Sequence, residues 1–163
     1  MTITVEHLAN GVSLVTLSAE TSRNGLNMES MKSMSDIMNS LLDDKSIKSI
    51  VMTGTGKFFC SGADIDSFAS AIDDGSIADL VGGLTSLLHP MQLKIRASEK
   101  IFVAAINGSA AGGGLGLALC ADYRVCIPEA KLAAAFFSLG LSLIHISEPT
   151  RRYAISYAVF CLK

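Results

Sequence analysis

The segment from Ile101 to Ile127, IFVAAINGSAAGGGLGLALCADYRVCI, constrains the fold of this 163-residue chain more than any other stretch. An apolar run ends at the turn pair Asn107-Gly108, and small residues up to Gly114 lead into a second apolar segment. Asp122 then opens a run with strand character. This order predicts a buried strand, a glycine-rich turn, a buried helix and another buried strand, which is an α/β arrangement.

Three consecutive glycines, Gly112 to Gly114, stand where the first strand hands over to the helix. They leave backbone N–H groups uncovered at the positive end of the helix dipole, which suits an oxyanion or a phosphate. The alternative is that these glycines only allow the helix and strand to pack closely. A second such turn, Ser61 to Asp64, also precedes a predicted helix. Two turns of this kind can converge on one carbonyl oxygen, so we predict an oxyanion hole for a thioester or ester.

The composition fits one domain and excludes several classes of function. Half of the residues are apolar and the mean hydropathy is +0.45. No apolar run reaches the roughly 20 residues of a membrane helix, so the excess predicts self-association or a missing covering layer. The net charge is −2 without a basic cluster, which argues against a nucleic-acid partner. The N-terminus lacks a signal-peptide pattern, and we expect a cytoplasmic protein without a membrane partner.

The four cysteines, Cys60, Cys120, Cys126 and Cys161, form no CxxC pair and fit no zinc spacing. They predict buried, reduced thiols and no metal site. Asp64 and Asp66 have no further carboxylate or histidine close by in the sequence. Capping of a helix is therefore favoured over metal binding for these two residues.

Local patterns predict the remaining elements. Apolar runs on both sides of Asn10-Gly11 predict a hairpin with a two-residue turn. Asn27 is predicted to cap a helix whose methionine stripe belongs to the core. A longer helix from Ile77 to Arg96 is predicted to break or kink at Pro90.

Two segments, FFCSGADI at 58–65 and INGSAAGGGLGLALCADYRV at 106–125, resemble the signature segments of the crotonase (enoyl-CoA hydratase/isomerase) family. The order of elements also fits, from the initial hairpin through SRNGLN at 22–27 to FSLG at 137–140. The resemblance implies an α/β fold of the ββα-spiral type and acyl-CoA thioester substrates. It implies no separate cofactor, because coenzyme A is part of the substrate.

The resemblance also implies functional residues. The backbone N–H groups of Ala63 and Gly113 would form the oxyanion hole, and the backbone around Arg23 and Leu26 would hold the CoA moiety together with residues 61–65. The predicted substrate- and CoA-binding set is Arg23, Leu26, Ser61, Gly62, Ala63, Asp64, Ile65, Gly112, Gly113, Gly116 and Phe136. Family members are usually trimers or pairs of trimers, so a homotrimer or hexamer is expected of the parent protein.

Two departures from the family pattern bear on the reaction. Hydratases of the family carry a glutamate two residues after the glycine run, where this chain has Gly116, and a second glutamate at the position of Phe136. Neither residue can transfer a proton, which disfavours hydration by a two-glutamate mechanism. The run KLAAAFFSLGLS resembles the isomerase branch, similar to ring-epoxide phenylacetyl-CoA isomerases. In that branch a catalytic aspartate follows shortly afterwards, but no carboxylate lies near Ile144.

Double-bond isomerisation through an enolate is therefore the predicted reaction of the parent protein. The alternatives are an enoyl-CoA hydratase with relocated acid–base residues and a catalytically silent acyl-CoA-binding member. A serine peptidase on the related Clp-type spiral would need a Ser, His and Asp triad. Ser109 follows Gly108, but no convincing histidine follows it before residue 141.

Residues 141–163, LSLIHISEPTRRYAISYAVFCLK, differ in composition from everything before them. Read as codons, they resemble a translated sequencing-library adapter. We therefore expect a crotonase-like spiral domain at 1–140, incomplete because its C-terminal helical part is missing, followed by a non-native tail at 141–163. Tail residues such as His145 and Glu148 are expected to carry no function, and the fragment itself is predicted to be inactive.

Overall fold

The computed structural model describes residues 1–19, 21 and 23–134, together with the backbone of 160–161. The strands are β1 (Thr2–Leu8), β2 (Val12–Ser18), β3 (Ser49–Gly54), β4 (Phe58–Cys60), β5 (Ile101–Ile106), β6 (Ser109–Ala111), β7 (Tyr123–Cys126), β8 (Leu132–Ala133) and β9 (Phe160–Cys161). The helices are α1 (Met28–Asp43), α2 (Ile65–Asp73), α3 (Ile77–Ala97) and α4 (Gly112–Cys120). The predicted α/β class is confirmed.

The strands form two sheets that the chain visits alternately. The larger sheet has the order β1-β2-β3-β5-β7-β9, with β1 antiparallel to β2 and the other pairs parallel. The smaller sheet, β4-β6-β8, is entirely parallel. In the larger sheet β3, β5 and β7 are each followed by a strand of the smaller sheet, and helices return the chain after β4 and β6. This repeat is the ββα spiral that the resemblance implies.

The first hairpin has a three-residue connection, so the predicted two-residue turn is wrong in length. Leu8 pairs with Val12, which leaves the single 3₁₀ turn Ala9–Gly11 between the strands. Asn10 and Gly11 adopt left-handed φ angles of 63° and 77°. Asparagine and glycine tolerate this conformation better than other residues do, which is why this pair marks the turn.

Helix α1 begins directly after its predicted cap, Asn27. The Asn27 side chain accepts a hydrogen bond from the Ser30 backbone N–H at 2.9 Å, and the Ser30 hydroxyl accepts one from the Asn27 N–H at 2.9 Å. This reciprocal capping box satisfies two N–H groups at the helix start. Met31, Met34 and Met38 are buried, which confirms the methionine stripe as core.

Helix α3 continues through Pro90 without the predicted break. Proline removes one backbone donor, so the carbonyl four residues earlier loses its helical partner. The burial of one face of α3 holds the helix together across this gap; its buried apolar residues are Leu84, Leu88, Met91 and Ile95.

Helix α4 begins earlier than the sequence pattern indicates. The three glycines form its first turn, and the preceding Ser109–Ala111 pairs with Phe58 and Cys60 as strand β6. Of the described residues, none belongs to a helix that is both long and apolar enough to cross a membrane.

Two arginines bind the C-terminal carbonyl groups of α4. The Arg124 guanidinium, which is 3% exposed, donates to the Ala121 carbonyl at 2.6 Å and the Leu119 carbonyl at 3.3 Å. Arg96 donates to the Cys120 carbonyl at 3.3 Å and forms an ion pair with Asp122 at 3.1 Å. Positive charge at this end complements the helix dipole and fixes the position of α4.

Candidate functional site

Two of the predicted binding segments lie side by side. The Leu26 N–H donates to the Gly62 carbonyl at 2.7 Å, and the Asp64 N–H donates to the Leu26 carbonyl at 3.0 Å. These bonds form an isolated parallel bridge between Leu26 and Ala63. The structure thereby brings the stretch around Leu26 next to the stretch at 61–65.

Arg23 lies at the exposed start of this arrangement. Its carbonyl accepts a hydrogen bond from the Ser61 N–H at 3.2 Å, and its backbone has a left-handed φ of 55°. The guanidinium carbon lies 5.8 Å from the centre of the Phe58 ring, within cation–π range. The side chain is therefore held over β4 while its charge stays accessible to a ligand.

Asn24 holds this loop in place, a role that its sequence context did not predict. Its side chain is buried, and its Nδ2 donates to the Phe58 carbonyl at 2.7 Å and to the Thr55 carbonyl at 3.1 Å. Its Oδ1 accepts from the Ala19 N–H at 2.8 Å. The Asn24-Gly25 pair has the composition of an ordinary turn, so only the fold shows that the amide bonds across to the β3–β4 connection.

Gly62 lies against the start of α4, where a side chain has no room. Its φ is +87°, and a Cβ added to it would lie 2.8 Å from the Ala111 carbonyl oxygen and 3.1 Å from the Gly113 nitrogen. Real Cβ atoms do not approach backbone atoms this closely, so only glycine fits here. The peptide between Gly62 and Ala63 is therefore immediately beside the first turn of α4.

The two predicted oxyanion donors, the N–H groups of Ala63 and Gly113, lie on either side of this contact. Because the bridge to Leu26 uses the residues before and after Ala63, the N–H of Ala63 itself is directed away from Leu26. Gly113 is the second residue of α4 and has no acceptor within the helix. Over residues 1–19, 21 and 23–134, neither N–H donates a hydrogen bond.

The three glycines of the run differ in what their surroundings require. Gly112 has a left-handed φ of +49°. A Cβ on Gly114 would lie 2.2 Å from the Cys60 carbonyl oxygen, so this glycine is required for packing against β4. A Cβ on Gly113 would meet only Leu88 Cδ2, at an ordinary 3.7 Å. Close packing therefore requires a glycine at position 114, and the left-handed φ favours one at position 112. Gly113 carries an N–H that has no acceptor within the described residues.

Helices α3 and α4 run alongside each other next to this turn. Leu88 contacts the Cβ position of Gly113, and Gln92 Nε2 lies 3.2 Å from the Cβ position of Gly116. One turn further, Arg96 bonds to the carbonyl of Cys120. Gln92, which was not among the predicted site residues, is a polar residue within the otherwise apolar buried face of α3.

Asp64 is a helix cap, as expected. Its Oδ1 accepts hydrogen bonds from the Ser67 N–H at 2.9 Å and the Ser67 hydroxyl at 2.8 Å, and α2 starts at the exposed Ile65. In the described ranges no three His, Cys, Asp or Glu residues group together as metal ligands. Phe136, the remaining predicted site residue, lies outside the described residues.

Three of the four cysteines are buried: Cys60, Cys120 and Cys126. Burial raises the pKa of Cys60 to about 12 and that of Cys120 to about 12, because the thiolate would lose its hydration. Neither thiol is a nucleophile at neutral pH. The side chain of Cys161 lies outside the described residues.

Curated proteins with similar sequences are acyl-CoA enzymes by name. The chain is 38% identical over 133 residues to a probable enoyl-CoA hydratase, echA12, of Mycobacterium leprae, an alignment that covers 80% of this chain and 45% of the relative. It is 29% identical over 141 residues to the 1,2-epoxyphenylacetyl-CoA isomerase of Escherichia coli, covering 86% and 53%. The chain thus spans about half the length of the curated relatives it matches.

Solved structures and the family profile agree with these relatives. An enoyl-CoA hydratase from Bacillus halodurans superimposes with a TM-score of 0.76 at 28% identity, covering 86% of this chain and 55% of that one. Residues 7–146 match the profile described as enoyl-CoA hydratase/isomerase, which extends six residues beyond Gly140. With its spiral of two sheets and its two glycine-rich turns, the chain belongs to the enoyl-CoA hydratase/isomerase, or crotonase, family.

Proposed function

We propose that the chain binds an acyl-CoA thioester and polarises its carbonyl group with hydrogen bonds from the N–H groups of Ala63 and Gly113. The observation that carries this proposal is the close approach of Gly62 to the start of α4, where a Cβ added to Gly62 would lie 3.1 Å from the Gly113 nitrogen. Within the described residues both donors are unused. Such donors stabilise negative charge that develops on the carbonyl oxygen when an enolate forms. Both residues are half-buried, so a ligand can reach them while water is partly excluded.

The CoA moiety is proposed to lie along the joined segments at 23–26 and 61–65. Arg23 is exposed at the end of this arrangement and supplies a permanent positive charge. A guanidinium group is well suited to the phosphate groups of coenzyme A. The backbone bonds of Leu26 and Asp64 keep the two segments in register, so the ligand meets one preformed surface.

For the parent protein we propose double-bond isomerisation. A base removes the proton at the α carbon, the electron pair is delocalised onto the thioester oxygen, and a proton returns to the γ carbon. The likeness to the Escherichia coli isomerase supports this reaction, and Gly116 offers no side chain for hydration. An enoyl-CoA hydratase with relocated acid–base residues is the alternative, which the Mycobacterium leprae relative favours by its name.

A catalytically silent acyl-CoA-binding role is the second candidate for the chain of 163 residues. Within the described residues the Cβ position of Gly116 has only Gln92 Nε2 within 4 Å, and no carboxylate. An oxyanion hole alone lowers a barrier by about 3 kcal/mol. Without a positioned acid or base a further factor of about 10² to 10⁴ is lost. We therefore expect binding without turnover at ordinary enzyme rates.

Assembly of the parent into trimers, or pairs of trimers, and a cytoplasmic location are further proposals.

Backbone amide NMR tests the binding proposal directly. Titration of the full chain with butyryl-CoA is expected to shift the amide resonances of Ala63 and Gly113, whereas free coenzyme A leaves them closer to their starting values. The amide of Gly82, whose surroundings are open, serves as the internal control. Unchanged Ala63 and Gly113 resonances at saturating butyryl-CoA would refute the proposed donors.

A matched pair of variants tests the Gly113 donor. Gly113→Pro removes its N–H at a position in the first helical turn, where proline is accommodated, and Gly113→Ala keeps the N–H. We expect the proline variant to lose butyryl-CoA affinity and the alanine variant to retain it. Hydration of crotonyl-CoA and double-bond migration in 3-butenoyl-CoA are assayed in parallel. Turnover at ordinary enzyme rates would show that the missing carboxylates are not required.

A further inference from the structure

His89 is a titratable side chain whose inner nitrogen is buried and unused. The residue as a whole is half-buried, but its Nε2 atom is excluded from solvent and has no hydrogen-bond partner among the described residues. Buried polar atoms that serve only the fold are normally hydrogen-bonded. An imidazole that reaches solvent on one side and keeps an unused nitrogen inside is therefore a candidate for contact with a ligand.

The position of His89 on α3 places it level with the start of α4. The preceding residue, Leu88, lies 3.7 Å from the Cβ position of Gly113, and one turn later Gln92 Nε2 lies 3.2 Å from the Cβ position of Gly116. The two helices therefore run in the same direction, and the turn of α3 that carries His89 lies beside the first turn of α4.

His89 and Gln92 are neighbours on the surface of α3. Successive residues of an α-helix are about 100° apart, so Gln92 lies between Leu88 and His89 around the helix axis. Residues three apart are close to each other on a helix surface. Both amide atoms of Gln92 are also unpartnered in the part of the chain that the structure describes. Unused polar atoms are thus clustered beside the proposed oxyanion hole.

We propose that His89 transfers the proton, a role for which the two glutamate positions of the family offer only Gly116 and Phe136. The neutral Nε2 takes a proton from the α carbon of the bound thioester, and the electron pair of that C–H bond moves onto the carbonyl oxygen held by Ala63 and Gly113. The imidazolium then returns a proton to the α carbon, or to the γ carbon when the chain has a β,γ double bond. Imidazole suits this step because it takes up and releases protons near neutral pH. The inference rests on the proposed function, and the step needs no oxidant, reductant or second substrate.

The competing interpretation is that His89 only fills space at the edge of the contact between α3 and α4. In that case a substitution alters the stability of the chain and leaves the chemistry of a bound thioester unchanged. In the proposed case the thioester loses its base but keeps its binding surface, because the backbone donors and the CoA-binding segments do not include His89. The two interpretations therefore differ in the rate of proton exchange at unchanged affinity.

The test is hydrogen–deuterium exchange at the α carbon of butyryl-CoA, followed by proton NMR in D₂O. With the wild-type full chain we expect exchange at least about 10²-fold faster than in buffer alone, and slower than ordinary enzyme turnover. His89→Gln keeps polar atoms but cannot take up the proton. We expect this variant to lose the acceleration and to keep its affinity for butyryl-CoA, measured by calorimetry. His7→Gln, a change at an exposed position of β1, is the control and should exchange as the wild-type chain does.

A second measurement requires no variant to fold. His89 is one of three histidines in the chain, and its ring Hε1 resonance is expected to shift when butyryl-CoA saturates the site. A resonance that does not move at saturation would overturn the contact between the ring and the acyl chain.

The outcomes separate the role of His89 from the proposed function. Binding of butyryl-CoA without accelerated exchange overturns the role of His89 and leaves the proposed function intact. Exchange that persists at the wild-type rate in His89→Gln overturns that role as well. Failure of the wild-type chain to bind butyryl-CoA overturns the proposed function, and the role of His89 with it.

Discussion

Leu26 and Ala63 face each other in an isolated parallel bridge, although a helix and two strands separate them in the sequence. The bridge is made by the backbone of the residues on either side of Ala63, so it leaves the Ala63 N–H available. Gly62 takes part in both halves of this arrangement, because its carbonyl accepts from Leu26 while its Cα rests against α4. A change at Gly62 therefore disturbs the loop and the helix together.

Gly62→Ala is expected to destabilise the fold by about 3 kcal/mol or more. The alanine would be strained by the left-handed φ, and in addition its Cβ would overlap the backbone of Ala111. Gly75→Ala is the matched control: its φ of +76° is similar, but nothing lies within 4 Å of its Cβ position. For the control we expect a loss of only about 1 kcal/mol from the backbone conformation. Urea unfolding measures both changes, and equal losses would show that the contact with α4 is unimportant.

Neighbouring glycines at the start of α4 are expected to respond in opposite directions to alanine. Gly113→Ala has room and improves helix propensity, so it should raise the free energy of unfolding by up to about 1 kcal/mol. Gly114→Ala forces a Cβ to 2.2 Å from the Cys60 carbonyl and should prevent normal folding. Thermal unfolding followed by circular dichroism distinguishes them. A stable Gly114→Ala variant would contradict the close packing of α4 on β4.

Asn24→Ala is expected to cost about 2–4 kcal/mol, because it leaves the Phe58 and Thr55 carbonyls without this donor in a buried site. Asn39→Ala, on α1, is the control and should change stability by less than about 0.5 kcal/mol. Chemical denaturation gives both values. If the two variants unfold alike, the Asn24 amide does not hold the loop that carries Arg23.

Alkaline pH is expected to destabilise the chain through its buried thiols. The pKa of Cys60 is raised from 9.0 to about 12 in the folded chain, so below about pH 9 the thiol is protonated in both states. Between pH 9.0 and about pH 12 the Cys60 thiol is ionised in the unfolded chain but still protonated in the folded chain. The free energy of unfolding therefore falls by up to about 1.4 kcal/mol for each pH unit in this range. Unfolding curves at pH 8 and pH 10 should therefore differ less in Cys60→Ala than in the wild-type chain. An identical pH dependence would exclude this contribution.

We also predict that the DNA encoding residues beyond about 142 is a library adapter rather than the natural gene. The family match extends to residue 146, four residues past this boundary. Sequencing the source locus across codon 140 provides the measurement. Genomic DNA that reads through codon 163 without an adapter match would disprove this origin.

Sequence patterns correctly predicted the features that depend on neighbouring residues only, such as the helix caps. Asn27 and Asp64 cap their helices as expected, because a capping side chain bonds to backbone only three residues away. Such bonds depend on the adjacent sequence and little else. The first turn of α4 was less predictable, since a run of glycines suits a loop equally well.

Residues that act across the fold were not predictable in the same way. The Asn24 amide bonds to carbonyls on the β3–β4 connection, and Gln92 Nε2 lies 3.2 Å from the Cβ position of Gly116. Neither relationship has a sequence spacing that pattern analysis can detect. Pro90 shows the opposite error: its local preference predicted a break or a kink, but the helix is not broken there, and the burial of one face of α3 outweighs that preference.

The contact between Gly62 and the start of α4 has an evolutionary consequence. The proposed donors are main-chain N–H groups, which every residue type except proline provides. No particular side chain is therefore required at the two positions to keep the donors. Natural selection can therefore exchange nearby side chains while the proposed backbone donors are kept. A scaffold of this kind favours the divergence of reactions that share a thioester enolate.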